Sequence, residues 1–250
     1  MKNLYFLGVM AATLLSSCSA SFQVVETASS DVKTDGKEYV FNTNEVAVHY
    51  NLWDGRGNIL FNIENKSNSP IYVDLDRSHL IVNGSSVDYY LEEETTTSVK
   101  SGAARGSWGT LWSDQYEVSR KAKMKKVVEV PPQSFITVGG RTIISEPLSD
   151  CGINKIKRGG IASSGTFTES DSPLTFRNYI TYSNSYDLAS ANVVQNEFYV
   201  VRVHNMTTST FNGKTIKEKD CPGEFSKERA ELPFAKPQNI VLKMKSSSAF

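Results

Sequence analysis

The most specific chemistry in the sequence belongs to Cys18, which closes the run Leu15-Ser16-Ser17-Cys18. A branched apolar residue, two small residues and a cysteine make up the lipobox pattern of bacterial envelope proteins. There, a membrane-embedded transferase puts diacylglycerol on the thiol, and a peptidase needs small side chains beside the bond it cuts. A further acyl chain such as palmitate can follow. Each buried methylene contributes about 0.8 kcal/mol, so two or three chains hold a protein firmly where one holds it marginally. The other two cysteines, Cys151 and Cys221, are expected to share an oxidising compartment, where two thiols often pair. Their bridge would close a loop of 70 residues, a constraint of roughly 4 kcal/mol in the chain-entropy picture. Neither has a C-x-x-C partner or a histidine near in sequence, so metal ligation is not expected.

Catalysis needs a base, a nucleophile or a metal held in place. The chain has three histidines, His49, His79 and His204. Two fall in predicted strands and His79 lies beside one, so packing or strand-face roles are expected. No H-E-x-x-H and no P-loop pattern occurs, and no G-x-S-x-G or Ser-x-x-Lys motif sits in a persuasive context. Asp74-Leu75-Asp76, with Glu64 approaching from the preceding strand, is the one carboxylate group that could attract Ca²⁺, which takes six to eight oxygen ligands. Pairing with Arg77 or Lys66 explains the same residues equally well. No metal and no cofactor is therefore expected. Three tryptophans remain. Trp53 sits at the mouth of a predicted hairpin, while Trp108 and Trp112 lie in a Gly/Ser-rich stretch. Such rings stack on sugars or anchor protein interfaces when exposed, and form a small satellite core when the loop folds back.

The elements that position these residues read as strands. Residues 1–17 are expected to be a signal peptide: Lys2 in the n-region, then an apolar run over 4–15. That run is too short to span a bilayer, which takes about 20 residues. Residues 18–37 read as a lipidated tether with room for one added strand. From 38 to 250 the pattern predicts one β domain, with a possible subdivision near 92–126. Alternation of period two over 46–53 and 59–63, broken by Asp54-Gly55-Arg56-Gly57, predicts a hairpin. Strands are predicted at 71–73, 80–82 and 87–90, with Asn83-Gly84 as a tight turn. Others follow at 127–130, 135–138, 142–144, 174–182, 198–204 and 240–244. About ten short strands with frequent turns point to an antiparallel β-sandwich, Ig-like or related, with long loop excursions. The best helical candidate, residues 113–126, is polar enough to be a loop or a short exposed helix.

Charge excludes more than it suggests. Lys plus Arg and Asp plus Glu stand at 27 each, so no nucleic-acid or polyanion partner is indicated. The basic run Arg120, Lys121, Lys123, Lys125 and Lys126 reads as a solvated loop or strand edge, with Glu92 to Glu94 upstream.

Tyr50-Asn51-Leu52-Trp53, Asn65-Lys66-Ser67 leading to Pro70-Ile71-Tyr72-Val73, the hairpin at 80–84 with Tyr89-Tyr90 beyond it, and Phe176-Arg177-Asn178-Tyr179-Ile180-Thr181-Tyr182 together resemble an uncharacterised group of Bacteroidota outer-membrane lipoproteins. The resemblance runs over most of the mature chain and implies an envelope location; it carries over no functional residue. Ser19 in place of an aspartate favours the outer membrane. The lack of acidic residues before Glu26 favours a periplasm-facing domain. Two functions are expected from these features. One is a non-catalytic, membrane-anchored domain that binds or scaffolds an envelope protein or glycan. The other is a carbohydrate- or peptide-acting hydrolase with carboxylates the sequence does not single out.

Overall fold

Residues 58–65 alternate between half-buried and buried positions, with Ile59, Phe61, Ile63 and Asn65 turned inward. This is the signature of a strand with one face on a core. The structure is a computed structural model and describes residues 21–34, 38–91, 94–102, 115–123, 125–149, 160–218 and 226–244. Cys18, Trp108, Trp112, Cys151 and Cys221 lie outside the described residues.

In chain order the elements are β1 (Ser21–Ala28), β2 (Lys33–Thr34), β3 (Tyr39–Asn42), β4 (Val46–Tyr50), α1 (Leu52–Gly55), β5 (Asn58–Asn65) and β6 (Ile71–Val82). Then come β7 (Ser85–Asp88), β8 (Glu94–Gly102), β9 (Gln115–Lys123), β10 (Val127–Val130), β11 (Ser134–Thr142) and β12 (Ile161–Ser163). The last are β13 (Thr175–Ser183), β14 (Ala191–Thr207), α2 (Thr208–Asn212), β15 (Thr215–Glu218), β16 (Lys227–Ala230) and β17 (Asn239–Met244). The chain is all-β, and every strand pairing described is antiparallel.

The larger sheet runs β10-β6-β13-β14-β1-β17, with β7 on β6 and β12 on β14. The smaller runs β11-β5-β4-β3-β2. Both contribute to one hydrophobic cluster, which joins Val48, Phe61 and Ile63 to Val73, Phe176, Phe198, Val200 and Ile240. A second, smaller cluster of Val24, Met206 and Phe211 lies on the other face of β1, with Phe22, Trp53 and Phe234 packed against it.

Several sequence expectations change. Residues 71–73 and 80–82 belong to one twelve-residue strand, β6. Its register against β13 jumps from Tyr179↔His79 to Thr181↔Asp74, so residues 75–78 bulge out. That polar bulge is what broke the alternation in the sequence. Likewise β11 is continuous where a break was expected at Gly139-Gly140; Gly140 sits at φ 86° and takes up the irregularity. Within 113–126, Gln115–Lys123 is a strand that pairs with Glu94–Gly102 as a two-stranded ribbon. This also places Arg120, Lys121 and Lys123 on a strand. In the 46–64 hairpin, the turn is a single helical turn, α1, capped by the Asn51 side chain accepting from the Asp54 N–H at 3.1 Å. Gly57 follows at φ 92°, and a Cβ there would collide with the Ile144 carbonyl oxygen. Glycine is required at that position because the Ile143 and Ile144 N–H groups both bond the Gly57 carbonyl, at 2.8 and 3.0 Å.

The most consequential placement is that of β1. Residues 21–28 form a strand hydrogen-bonded on both sides, to β14 and to β17. Val24 and Val25 are fully buried, one in each cluster.

Candidate functional site

Each histidine finds a carboxylate. His49 on β4 sits 2.9 Å from Glu64 on β5, and His79 on β6 sits 2.7 Å from Asp88 on β7. Both are cross-strand pairs at the surface. The third is different. The β12–β14 register sets Ser163 directly opposite His204, and Ser163 Oγ lies 2.6 Å from His204 Nδ1. On the other side, β1 places Val24 opposite His204, so Glu26 comes diagonally onto the same face. His204 Nε2 is 3.0 Å from Glu26 Oε1, within ion-pair distance but without the alignment of a hydrogen bond. The imidazole is almost fully covered and packs against Phe234 at 5.7 Å, while Ser163 is exposed. The His204 side chain holds the Glu26 carboxyl below the usual carboxylate range against the opposing cost of burial, helped by the charges of Arg202 and Lys236.

Serine, histidine and glutamate in contact invite comparison with a hydrolytic triad. The backbone argues against it. An acyl-transfer site needs N–H groups free to meet an oxyanion, usually including that of the residue after the nucleophile. Here the Ser164 N–H is committed to the Val203 carbonyl at 2.9 Å, and Ser163 occupies an ordinary ladder position. The trio works as a polar clasp tying β12 and β1 to β14. One test follows. Because its folded value is lowered, Glu26 contributes stability above the ordinary carboxylate range, and loses it as pH falls through the folded value. Urea midpoints of wild type and Glu26→Gln should therefore differ at pH 7 and converge in acid, below about pH 4. A gap independent of pH would show that the Glu26 charge contributes nothing.

The Asp74-Leu75-Asp76 group is occupied by its own chain. Asp74 is buried; its Oδ1 accepts from the Asp76 and Arg77 N–H groups at 3.1 and 3.2 Å, and its Oδ2 accepts from Arg77 Nε at 2.7 Å. Asp76 turns away to Lys126, 3.3 Å off. Glu64 is in the other sheet with His49. Asp74 and Asp76 thus pair with cations of their own chain, and among the described residues no three His, Cys, Asp or Glu side chains are grouped to hold a metal ion.

Trp53 is drawn inward as well. It stacks on Phe211 at 5.7 Å and 15°, and Phe211 stacks in turn on Phe22 at 4.0 Å. The open aromatic and apolar surface is elsewhere: Tyr186 is 73% exposed, Phe135 62% and Val193 48%. Tyr186 meets the half-buried Tyr72 edge-on at 5.6 Å. The outer face of the smaller sheet forms a shallow cleft of about 630 Å³ lined by Asp31, Lys33, Glu38, His49, Glu64 and Lys66. Two of its charged groups are already hydrogen-bonded within the chain: Lys66 donates to Asn42 Oδ1 and the Thr43 carbonyl, at 2.6 and 2.7 Å, and Asp31 accepts from Asn196 Nδ2.

No sequence motif marked Ser163 or Glu26, because 41 and 178 residues separate them from His204 and only strand register unites them. The fold and these sites define an all-antiparallel β protein in which, among the described residues, each of the three histidines lies beside a carboxylate. Comparisons with protein-family models, with curated proteins and with solved structures find no match to the chain.

Proposed function

We propose that the chain is a lipid-anchored envelope protein whose β domain binds or scaffolds a protein or glycan partner and catalyses no reaction. The observation that carries this reading is the position of β1. The strand that starts three residues after the lipobox cysteine is hydrogen-bonded on both edges and buried on both faces. An anchor there is coupled to the core of the fold. The lipid chains belong in the outer membrane, with the domain facing the periplasm and the two other cysteines bridged. Among the described residues no helix is long and apolar enough to cross a membrane; in this reading the acyl chains are the attachment. The two sheets around one core are read as a β-sandwich. The surface best suited to a partner is the outer face of the larger sheet around Tyr72, Tyr186 and Val193. Rings there offer large contact area with few rotatable bonds to freeze.

Two measurements test it. Cys18→Ala should move the protein from the membrane to the soluble periplasmic fraction; continued membrane association would sink the anchor. A photo-crosslinker at position 186 in intact cells should give a discrete adduct that Val193→Asp abolishes, and an absence of any specific adduct would count against the binding role.

The contact of His204 with Ser163 favours a hydrolase as the second reading. A fluorophosphonate probe decides between them: the binding reading expects Ser163 to stay unmodified. Labelling at Ser163 that His204→Gln abolishes would reinstate the enzyme.

A further inference from the structure

We propose that the end of the fold formed by the start of β1, helix α2 and the end of β17 rests on the headgroup layer of the bilayer, so that the β13–β14 turn with Tyr186 points away from the membrane. The inference rests on the lipid-anchor reading and adds an orientation to it.

The argument begins with reach. Three residues from Cys18 to Ser21 extend at most about 11 Å. The polar layer of a bilayer leaflet is about 5–8 Å thick, from the difference between its full and hydrocarbon thickness. A lipidated Cys18 at that layer therefore cannot let Ser21 move far clear of it. Nor can Ser21 swing independently of the domain, because it is paired to Thr207 on one side and Met244 on the other. Helix α2 starts directly after Thr207, and the Gly160 carbonyl accepts the Thr207 N–H at the same end. The leash thus fixes which end of the larger sheet meets the lipid.

The chemistry of that end suits headgroups rather than hydrocarbon. Helix α2 buries Phe211 and leaves Ser209 and Asn212 exposed, with Lys214 just beyond and Lys243 exposed on β17. Hydroxyl, amide and ammonium groups match phosphate and ester oxygens. Glu231 stands behind Lys214, its Oε2 accepting the Lys214 N–H at 3.3 Å. The large exposed apolar residues Val87, Leu91, Phe135, Tyr186 and Val193 are all outside β1, α2 and β17. From Thr207 back to Ala191, β14 extends up to about 50 Å. The Tyr186 turn is thereby carried well beyond the headgroups, where a partner can reach it.

The test is hydrogen exchange on the lipidated full chain in vesicles of phosphatidylethanolamine and phosphatidylglycerol, compared with soluble Cys18→Ala. The proposal expects amides of 208–214 and 243–244 to exchange severalfold more slowly on vesicles, and those of 184–190 to be unchanged. A second variant carries a flexible spacer of about 20 Gly and Ser residues between Ser19 and Ala20, with an r.m.s. length of roughly 25 Å. It should still float with the vesicles yet lose the added protection. Protein that floats but shows no protection at α2, or shows it at the Tyr186 turn, overturns the orientation and leaves the anchor intact. Protein that does not float overturns both.

Discussion

Phe198→Ala is expected to lower the free energy of unfolding by about 3–5 kcal/mol, the cost of removing a buried phenylalanine and leaving its cavity. Phe198 is 1% exposed and stacks on Phe176 at 4.7 Å; Tyr50 and Tyr39 meet it edge-on at 4.9 and 5.5 Å. Phe176 lies beside it in the larger sheet, while Tyr39 and Tyr50 belong to the smaller one. The ring is thus the point where the two sheets grip each other. Against a total stability of about 5–15 kcal/mol, the loss is a large fraction, and it should lower the thermal midpoint by about 6–20 °C. Urea and thermal unfolding followed by circular dichroism read it directly. Phe135→Ala, at a ring 62% exposed, should shift stability by less than about 0.5 kcal/mol. Similar costs for the two would mean that the sheets do not pack through Phe198.

Asn178→Ala should cost about 2–4 kcal/mol, combining unsatisfied buried groups with lost packing. Asn178 is fully buried between the sheets. Its Oδ1 accepts from the Tyr89 hydroxyl at 2.8 Å, and its Nδ2 donates to the Tyr50 hydroxyl at 2.9 Å. Tyr50 donates onward to Asn196 Oδ1 at 2.7 Å, and Asn196 Nδ2 donates to Asp31. Burial pushes both phenols well above their usual range, so they stay neutral and act as donors. Truncating Asn178 leaves the Tyr89 hydroxyl without its acceptor in a dry core. Tyr89→Phe removes that stranded group, so the double variant should cost less than the sum of the singles. Strict additivity in denaturant unfolding would show that the chain of hydrogen bonds is not a coupled unit.

These two residues illustrate what could be read from the sequence and what could not. Phe176 and Ile180 alternate on β13 as core positions should, and so do Ile59, Phe61 and Ile63 on β5, so the all-β class was legible from period two. Asn178 obeys the same alternation as a polar residue. Its two side-chain partners, Tyr50 on β4 and Tyr89 just past β7, are distant in sequence, and only the assembled sheets bring them within hydrogen-bonding distance. The bulge at 75–78 misled for a related reason. Its Asp74, Asp76 and Arg77 satisfy one another locally, and in sequence that resembles either a loop or a ligand cluster. The strand Gln115–Lys123 escaped the sequence reading because its polar run shows neither period clearly.

The site follows the same division. The proposed anchor at Cys18 is read without the fold, because it rests on the short linear segment 15–18. The sequence alone therefore determined the β class and the near-neutral charge, and it is the whole basis of the proposed anchor. Tertiary structure decided the rest: that His204 gathers Ser163 and Glu26 across three strands, that Trp53 turns inward onto Phe211, and that Tyr186 stays open. It also placed β1 between β14 and β17, so residues that read as a tether begin inside the core. The physical reason is that strand pairing is a long-range choice. A short apolar stretch such as Val24-Val25 carries no record of which edges will flank it.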